Sequence, residues 1–374
     1  MKVLHLSNDF AGSKVHSNLY KRLDAIGIHQ TIFTAVFTEK GIGLNSFDGQ
    51  NTLFYYAKLR DKWDSFLFRR KIRRRLHYIY NNIDLTTYDL VHATTLFSDG
   101  AIALKIHNKY GIPFVVAVRD CDISGFLSKA PHTWNIGVEI LKKASAIVFI
   151  TQALKDRFIK HPIIKMLQKQ IENKIIIRPN GIDDFWLQHV SEQRTPFTPN
   201  FCYVGRLEKI KNVPKVINAI LSLKEKIPDI HFDIVGGGGK DEAFIKDISL
   251  RYPSIIHYYG PISDKNELRS VYLKNNVFIM ASHHETFGLV YIEALTQGLN
   301  IIYTKNEGID GMFPPSVGIA VNSHEENDIS NAIENIATNH QDYFLPQLDF
   351  SEYSWDKISK FYNSLYLSII SRNQ

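Results

Sequence analysis

The chain has 374 residues, with 44 Lys and Arg against 38 Asp and Glu, and so carries a formal charge of +6. Its 44% hydrophobic, 22% charged and 12% aromatic content is that of ordinary globular domains and excludes disorder, collagen and coiled coil. A single core rarely serves more than roughly 250 to 300 residues, so the length argues for two domains. Cys121 and Cys202 are too few for a disulfide framework and match no metal-ligand spacing, as expected of a reducing compartment. The start reaches polar Asn8-Asp9 too soon for a secretory signal. No apolar run approaches the roughly 18 to 20 residues that cross a bilayer. The expectation is a cytoplasmic protein.

In chain order, continuous apolar runs at 2–7, 30–37, 90–92, 114–118, 146–150 and 174–177 predict strands of a parallel sheet covered on both faces. Among them lies Arg69-Arg70-Lys71-Ile72-Arg73-Arg74-Arg75, which alone accounts for the six-charge excess. Phe68, Ile72, Leu76, Ile79 and Ile83 recur at helical spacing through it, and Trp63, Phe66 and Leu67 stand just upstream. Two readings stand: a docked surface helix with solvated arginines, or a patch for an anionic membrane surface or lipid phosphate. A nucleic-acid surface would need basic stripes with stacking aromatics over a wide face, and none is present.

The second half repeats the alternation with strands at 200–204, 231–235, 255–259, 277–281, 300–303 and 318–321. The polar, proline-bearing stretch 191–200 reads as a linker, and an amphipathic helix closes the chain from about 353 to 371. The predicted fold is α/β, with two doubly wound domains whose ligands bind beyond the carboxyl ends of the strands. The boundaries are 1–190, a linker at 191–200, 201–345, and 346–374 as a helix that packs back on the first domain.

Three strand ends carry chemistry. After 200–204 come Gly205, Arg206 and Lys211, two cations suited to a diphosphate or simply solvated. After 231–235 come Gly236, Gly237, Gly238 and Gly239, which permit close approach to the backbone, although Asp241 spoils both dinucleotide and P-loop patterns. After 277–281 comes His283-His284-Glu285-Thr286-Phe287-Gly288-Leu289. A helix is expected to start near Thr286, with the amides of Phe287, Gly288 and Leu289 free for an anion. Glu285 and Glu293 are each suited to grip a pair of hydroxyls, or to sit as ordinary helix carboxylates.

Glu285 through Glu293, with Phe-Gly-Leu after the first Glu, resembles the E-x7-E motif of the retaining family-4 glycosyltransferases of GT-B fold. Val204-Gly205-Arg206-Leu207 with Lys211-Asn212 is similar to that family's Gly-Arg-Leu…Lys motif, and Pro179-Asn180-Gly181-Ile182-Asp183 to its Pro-Asn-Gly segment. The resemblance implies two Rossmann-like domains facing a central cleft, the first for acceptor and the second for a UDP- or GDP-linked sugar. It implies that Arg206 and Lys211 stabilise the departing diphosphate, that Glu285 and the amides of 287–289 hold the donor sugar and phosphates, and that Glu293 holds the ribose. Gly236, Gly237, Gly238 and the loop at Ile262 would lie near nucleoside and base. It also implies front-face attack with retention, without metal or cofactor.

The family often places a glycine pair after the first strand and a histidine after the strand at 114–118. Here Gly12 stands alone and Arg119-Asp120-Cys121-Asp122 follows. Gly12, His92, Arg119 and Asp120 are therefore acceptor or cleft candidates. The implied partners are a nucleotide-sugar donor and a glycan or lipid-linked glycan in surface polysaccharide or glycolipid synthesis, at the inner face of the plasma membrane and without nucleic acid. The altered Arg119 loop leaves a second reading, a catalytically silent subunit that binds a glycan or partner protein.

Overall fold

The computed structural model describes residues 1–64, 66–193 and 196–373. The chain forms two compact units, one from Met1–Ile150, Leu154–Gly181 and Trp355 onward, the other from Thr151–Ala153 and Ile182–Ser354. Strands of the first are β1 (Lys2–Leu6), β2 (His29–Ala35), β3 (Thr52–Ala57), β4 (Leu90–Ala93), β5 (Phe114–Ala117), β6 (Ala146–Phe149) and β7 (Ile175–Ile177). They pair in parallel in the order β3-β2-β1-β4-β5-β6-β7. Sequence reading passed over β3 (TLFYYA), an edge strand with half-exposed residues.

Side chains of this sheet alternate between two helical layers. On one face Val3, Val115 and Ala117 meet Leu19, Tyr20 and Leu23 of the helix Lys14–Ala25, and Trp355, Ile358 and Tyr366 of the final helix Trp355–Asn373. Burial of each large side chain there contributes about 1.5 to 3 kcal/mol. A Cβ on Gly181 would stand 2.6 Å from the Trp355 ring, so this Pro-Asn-Gly glycine is required by packing rather than by backbone angle. On the other face lies the helix Ser98–Tyr110, where a Cβ on Gly100 would come 3.2 Å from Val116. The helices Phe68–Asn82 and Trp134–Lys143 flank it.

In the second unit β8 (Asn200–Val204), β9 (His231–Val235), β10 (Ile256–Gly260), β11 (Val277–Met280), β12 (Asn300–Thr304) and β13 (Gly318–Val321) form a parallel sheet ordered β10-β9-β8-β11-β12-β13. Strand order reverses beside β8, so the loops after β8 and β11 flank the switch point where open α/β sheets bind ligands.

Two expectations are corrected. The units divide at Gly181, not within 191–200. Trp186 is buried edge-on against Tyr272, Ser191 N–H donates to the Thr296 carbonyl, and Gln193 donates to Asn300 at 2.7 Å, which seats this stretch on the second unit. Arg194 and Thr195 lie outside the described residues. The six-residue basic patch is also not one surface. Lys71 is buried, donating to Ser98 at 2.8 Å and lying over the Phe68 and Phe126 rings. Arg75 is buried between Asn8 (2.8 Å) and Asp64 (3.3 Å). Burial, reinforced by Arg75, brings the Lys71 ammonium down to about 8. Arg69, Arg70 and Arg73 remain exposed, and Arg74 is partly so, 3.9 Å from Asp61.

Candidate functional site

Lys211 leaves β8 and Glu285 leaves β11, and the two meet across the switch point with Nζ 2.5 Å from Oε2. Their loops are locked together before any ligand arrives. Asn212 adopts the left-handed conformation (φ 58) and its amide donates to the carbonyls of Ala281 (3.0 Å) and Ser323 (2.9 Å). His283 N–H donates to the Ile210 carbonyl at 2.8 Å. Glu307, in the loop after β12, accepts from Glu285 N–H at 3.1 Å and pairs with His284 at 3.0 Å, while Gly308 N–H bonds the Glu285 carbonyl. Sequence reading missed Glu307, which lies in a polar loop where Asn306 and Gly308 both adopt positive φ.

Arg206 does not join this pair. Its side chain is 72% exposed and bound to Glu208 at 2.7 Å, where a long, flexible guanidinium gains a carboxylate at little cost in desolvation. The glycine run shows why it is needed: a Cβ on Gly236 would fall 1.7 Å from the Gly205 carbonyl oxygen, and one on Gly239 would fall 1.8 Å from that of Leu207. The glycines thus let the loops after β8 and β9 touch, with Gly236 at φ 137. Gly237 O accepts weakly from Leu207 N–H, Gly238 N–H donates to Glu242 at 2.8 Å, and Ile262 stands partly exposed after β10.

The helix after β11 starts later than predicted, at Leu289, because Gly288 is left-handed (φ 77) at its N-cap and a Cβ there would strike Tyr291 at 2.6 Å. Phe287 is buried against Tyr353. Among the described residues nothing takes up the N–H groups of Phe287, Gly288 and Leu289, which leaves them as oriented donors. About one turn into this helix, Glu293 lies near the Asp183–Lys265 pair (2.6 Å). Burial, then repulsion from Asp183, raises its carboxyl to about 7, with Lys265 opposing. If the ionised form accepts hydroxyls, its fraction rises about tenfold between pH 6 and 8, and nucleotide affinity should rise by about that factor in calorimetry. Glu293→Gln should flatten the profile. The raised value stabilises the fold below about pH 4.5 and that stabilisation is lost as pH climbs through 7, so the same variant should melt higher than wild type at pH 8.

In the first unit the candidates separate. His92 is buried, with Nδ1 2.7 Å from the Tyr366 hydroxyl; burial and then Arg119 lower it to about 3, so it is a neutral core group rather than an exposed cleft histidine. Asp120 is taken by Arg157 and by Ser124 (2.9 Å). Gly12 closes a short turn, where a Cβ would meet Asp9 Oδ1 at 2.8 Å. Arg119 is partly exposed at the end of β5, its Nε bonded to the Thr94 carbonyl at 3.3 Å. Asp122 is fully buried and accepts the N–H groups of Leu96, Phe97 and Arg119 at 2.9 to 3.0 Å, tying the loops after β4 and β5 together. Burial lifts it to about 6 against those three donors.

Two Rossmann-like units, each built on a parallel sheet, place the chain in the GT-B class of folds. A model described as Glycosyltransferase Family 4 matches residues 14–184, and one described as Glycosyl transferases group 1 matches 185–351. The chain belongs to the family-4 glycosyltransferases. Over 302 residues it is 24% identical to D-inositol 3-phosphate glycosyltransferase of Paenarthrobacter aurescens, covering 72% of both chains. Over 151 residues it is 29% identical to the GtfA subunit of UDP-N-acetylglucosamine–peptide N-acetylglucosaminyltransferase of Streptococcus pneumoniae, covering 40% of this chain and 27% of that one. Sucrose-phosphate synthase of Thermosynechococcus elongatus shares the fold over 100% of both chains, with a TM-score of 0.69 and 17% identity.

Proposed function

We propose that the protein transfers a glycosyl group from a UDP- or GDP-linked sugar to a hydroxyl acceptor, with retention at the anomeric carbon and without a metal. The Lys211–Glu285 pair across the switch point carries this reading. A donor diphosphate offers Lys211 a doubly charged partner in place of Glu285, and the released carboxylate is then available to the sugar hydroxyls. Arg206 supplies a second cation from the same loop, and the amides of Phe287 to Leu289 supply fixed dipoles. The barrier is charge separation between an oxocarbenium-like sugar and the leaving diphosphate, and preorganised cations and donors lower it. Glu293 takes the ribose. Arg119, the partly exposed cation of the β5 loop, serves the acceptor.

The acceptor is a glycan or lipid-linked glycan of surface polysaccharide or glycolipid synthesis, met at the inner face of the plasma membrane. Calorimetry with UDP and GDP tests the donor half: one nucleotide should bind in the presence of EDTA. Binding of neither supports the silent-subunit reading instead. Anomeric analysis of the product by NMR then decides retention.

A further inference from the structure

The first unit carries a surface groove of about 730 Å³ between the helices Phe68–Asn82 and Trp134–Lys143. Phe68, Ile72 and Leu76, each four residues apart, face Ile136 along its floor. One step round the same helix, Arg69 and Arg73 form its rim with Lys105. These three cations are exposed and, among the described residues, have no ion-pair partner; Glu139 is the one acid lining the groove. Lys71 and Arg75 of the same basic run are consumed inside the unit, so the run splits into cations that hold the helix and cations that crown the groove. Just before the helix, Trp63, Phe66 and Leu67 are 52%, 74% and 44% exposed, an apolar cluster with Lys62 5.5 Å over the Trp63 ring.

We infer that this groove holds one anionic membrane lipid, its phosphate on the Arg69–Arg73 rim and the start of its hydrocarbon on the Ile72–Leu76–Ile136 floor, while Trp63, Phe66 and Leu67 sit in the bilayer interface. The volume lies within the range of about 300 to 1,000 Å³ typical of ligand sites. Exposed aromatics beside unpaired cations suit a headgroup boundary. A neutral glycan would leave the cations without use. The inference deepens the membrane half of the proposed function and does not depend on the donor site.

The test uses the full-length protein and calorimetry with monomeric dihexanoyl phosphatidylglycerol, dihexanoyl phosphatidylcholine and inorganic phosphate, alongside flotation on phosphatidylcholine vesicles with and without phosphatidylglycerol. The anionic lipid should bind at least about tenfold tighter than the zwitterionic one, with no measurable binding of phosphate alone. Arg69→Glu with Arg73→Glu should lose at least about tenfold in lipid affinity and in flotation, and Leu76→Trp, which fills the groove without changing charge, should also weaken lipid binding. Equal affinity for the two lipids, phosphate bound as tightly as lipid, or full binding by Leu76→Trp overturns the inference, as does light scattering that shows the face occupied by a second copy of the chain. Should the variants not fold, the wild-type comparison of the three probes decides. UDP and GDP titrated into the same sample keep the outcomes apart: nucleotide binding without lipid binding sinks this inference alone.

Discussion

Lys211→Ala should lower kcat/KM for sugar transfer by about 100- to 1,000-fold, the scale of removing one preorganised group that meets developing charge. It also strips the counter-charge from Glu285, whose side chain is only 12% exposed, so the melting temperature should fall as well. Lys211→Ala combined with Glu285→Ala removes both charges and should recover most of that stability while activity stays lost. That separates the two roles of the pair. A single variant that keeps wild-type turnover would remove Lys211 from the donor site.

The second large effect falls on a residue with no functional group. Gly236→Ala places a methyl 1.7 Å from the Gly205 carbonyl oxygen at φ 137, so the loops after β8 and β9 must part. A destabilisation of about 3 to 5 kcal/mol is expected, in the range of severe overpacking and strain. Gly238→Ala is the control: its φ of 73 disfavours a side chain, but nothing lies within 4 Å of the added methyl, so about 1 to 2 kcal/mol is expected. Chemical denaturation of both variants checks the contrast, and similar losses would contradict the packing account.

What the sequence made legible was whatever a parallel sheet writes as buried runs, together with the loops that follow them. Twelve of the strands were expected from apolar runs, the edge strands β7, β10 and β13 among them; the edge strand β3 was not. Motif order singled out Lys211, Glu285 and Glu293 as donor candidates, but the pairing of Lys211 with Glu285 could not be read from it. The Lys211–Glu285 contact depends on Asn212 reaching two carbonyls, one after β11 and one after β13, which is a long-range fact. Glu307 was hidden for the same reason. The basic run misled because charge patterning treats every Arg as solvated, whereas helical phase turned Lys71 and Arg75 inward to acids and polar groups contributed by other elements. His92 offered no signal that a tyrosine 274 positions away would bury it.

The helix Trp355–Asn373 completes a unit whose other elements all precede Gly181. Tyr20, Leu23 and His92 are covered only once this helix, which follows the whole second unit in the chain, has docked. During synthesis the earlier unit is therefore the later one to mature, and its open face is available to chaperones throughout. An N-terminal fragment that stops at Gly181 would present that apolar face to water, so the first unit is not separable as a contiguous piece of gene.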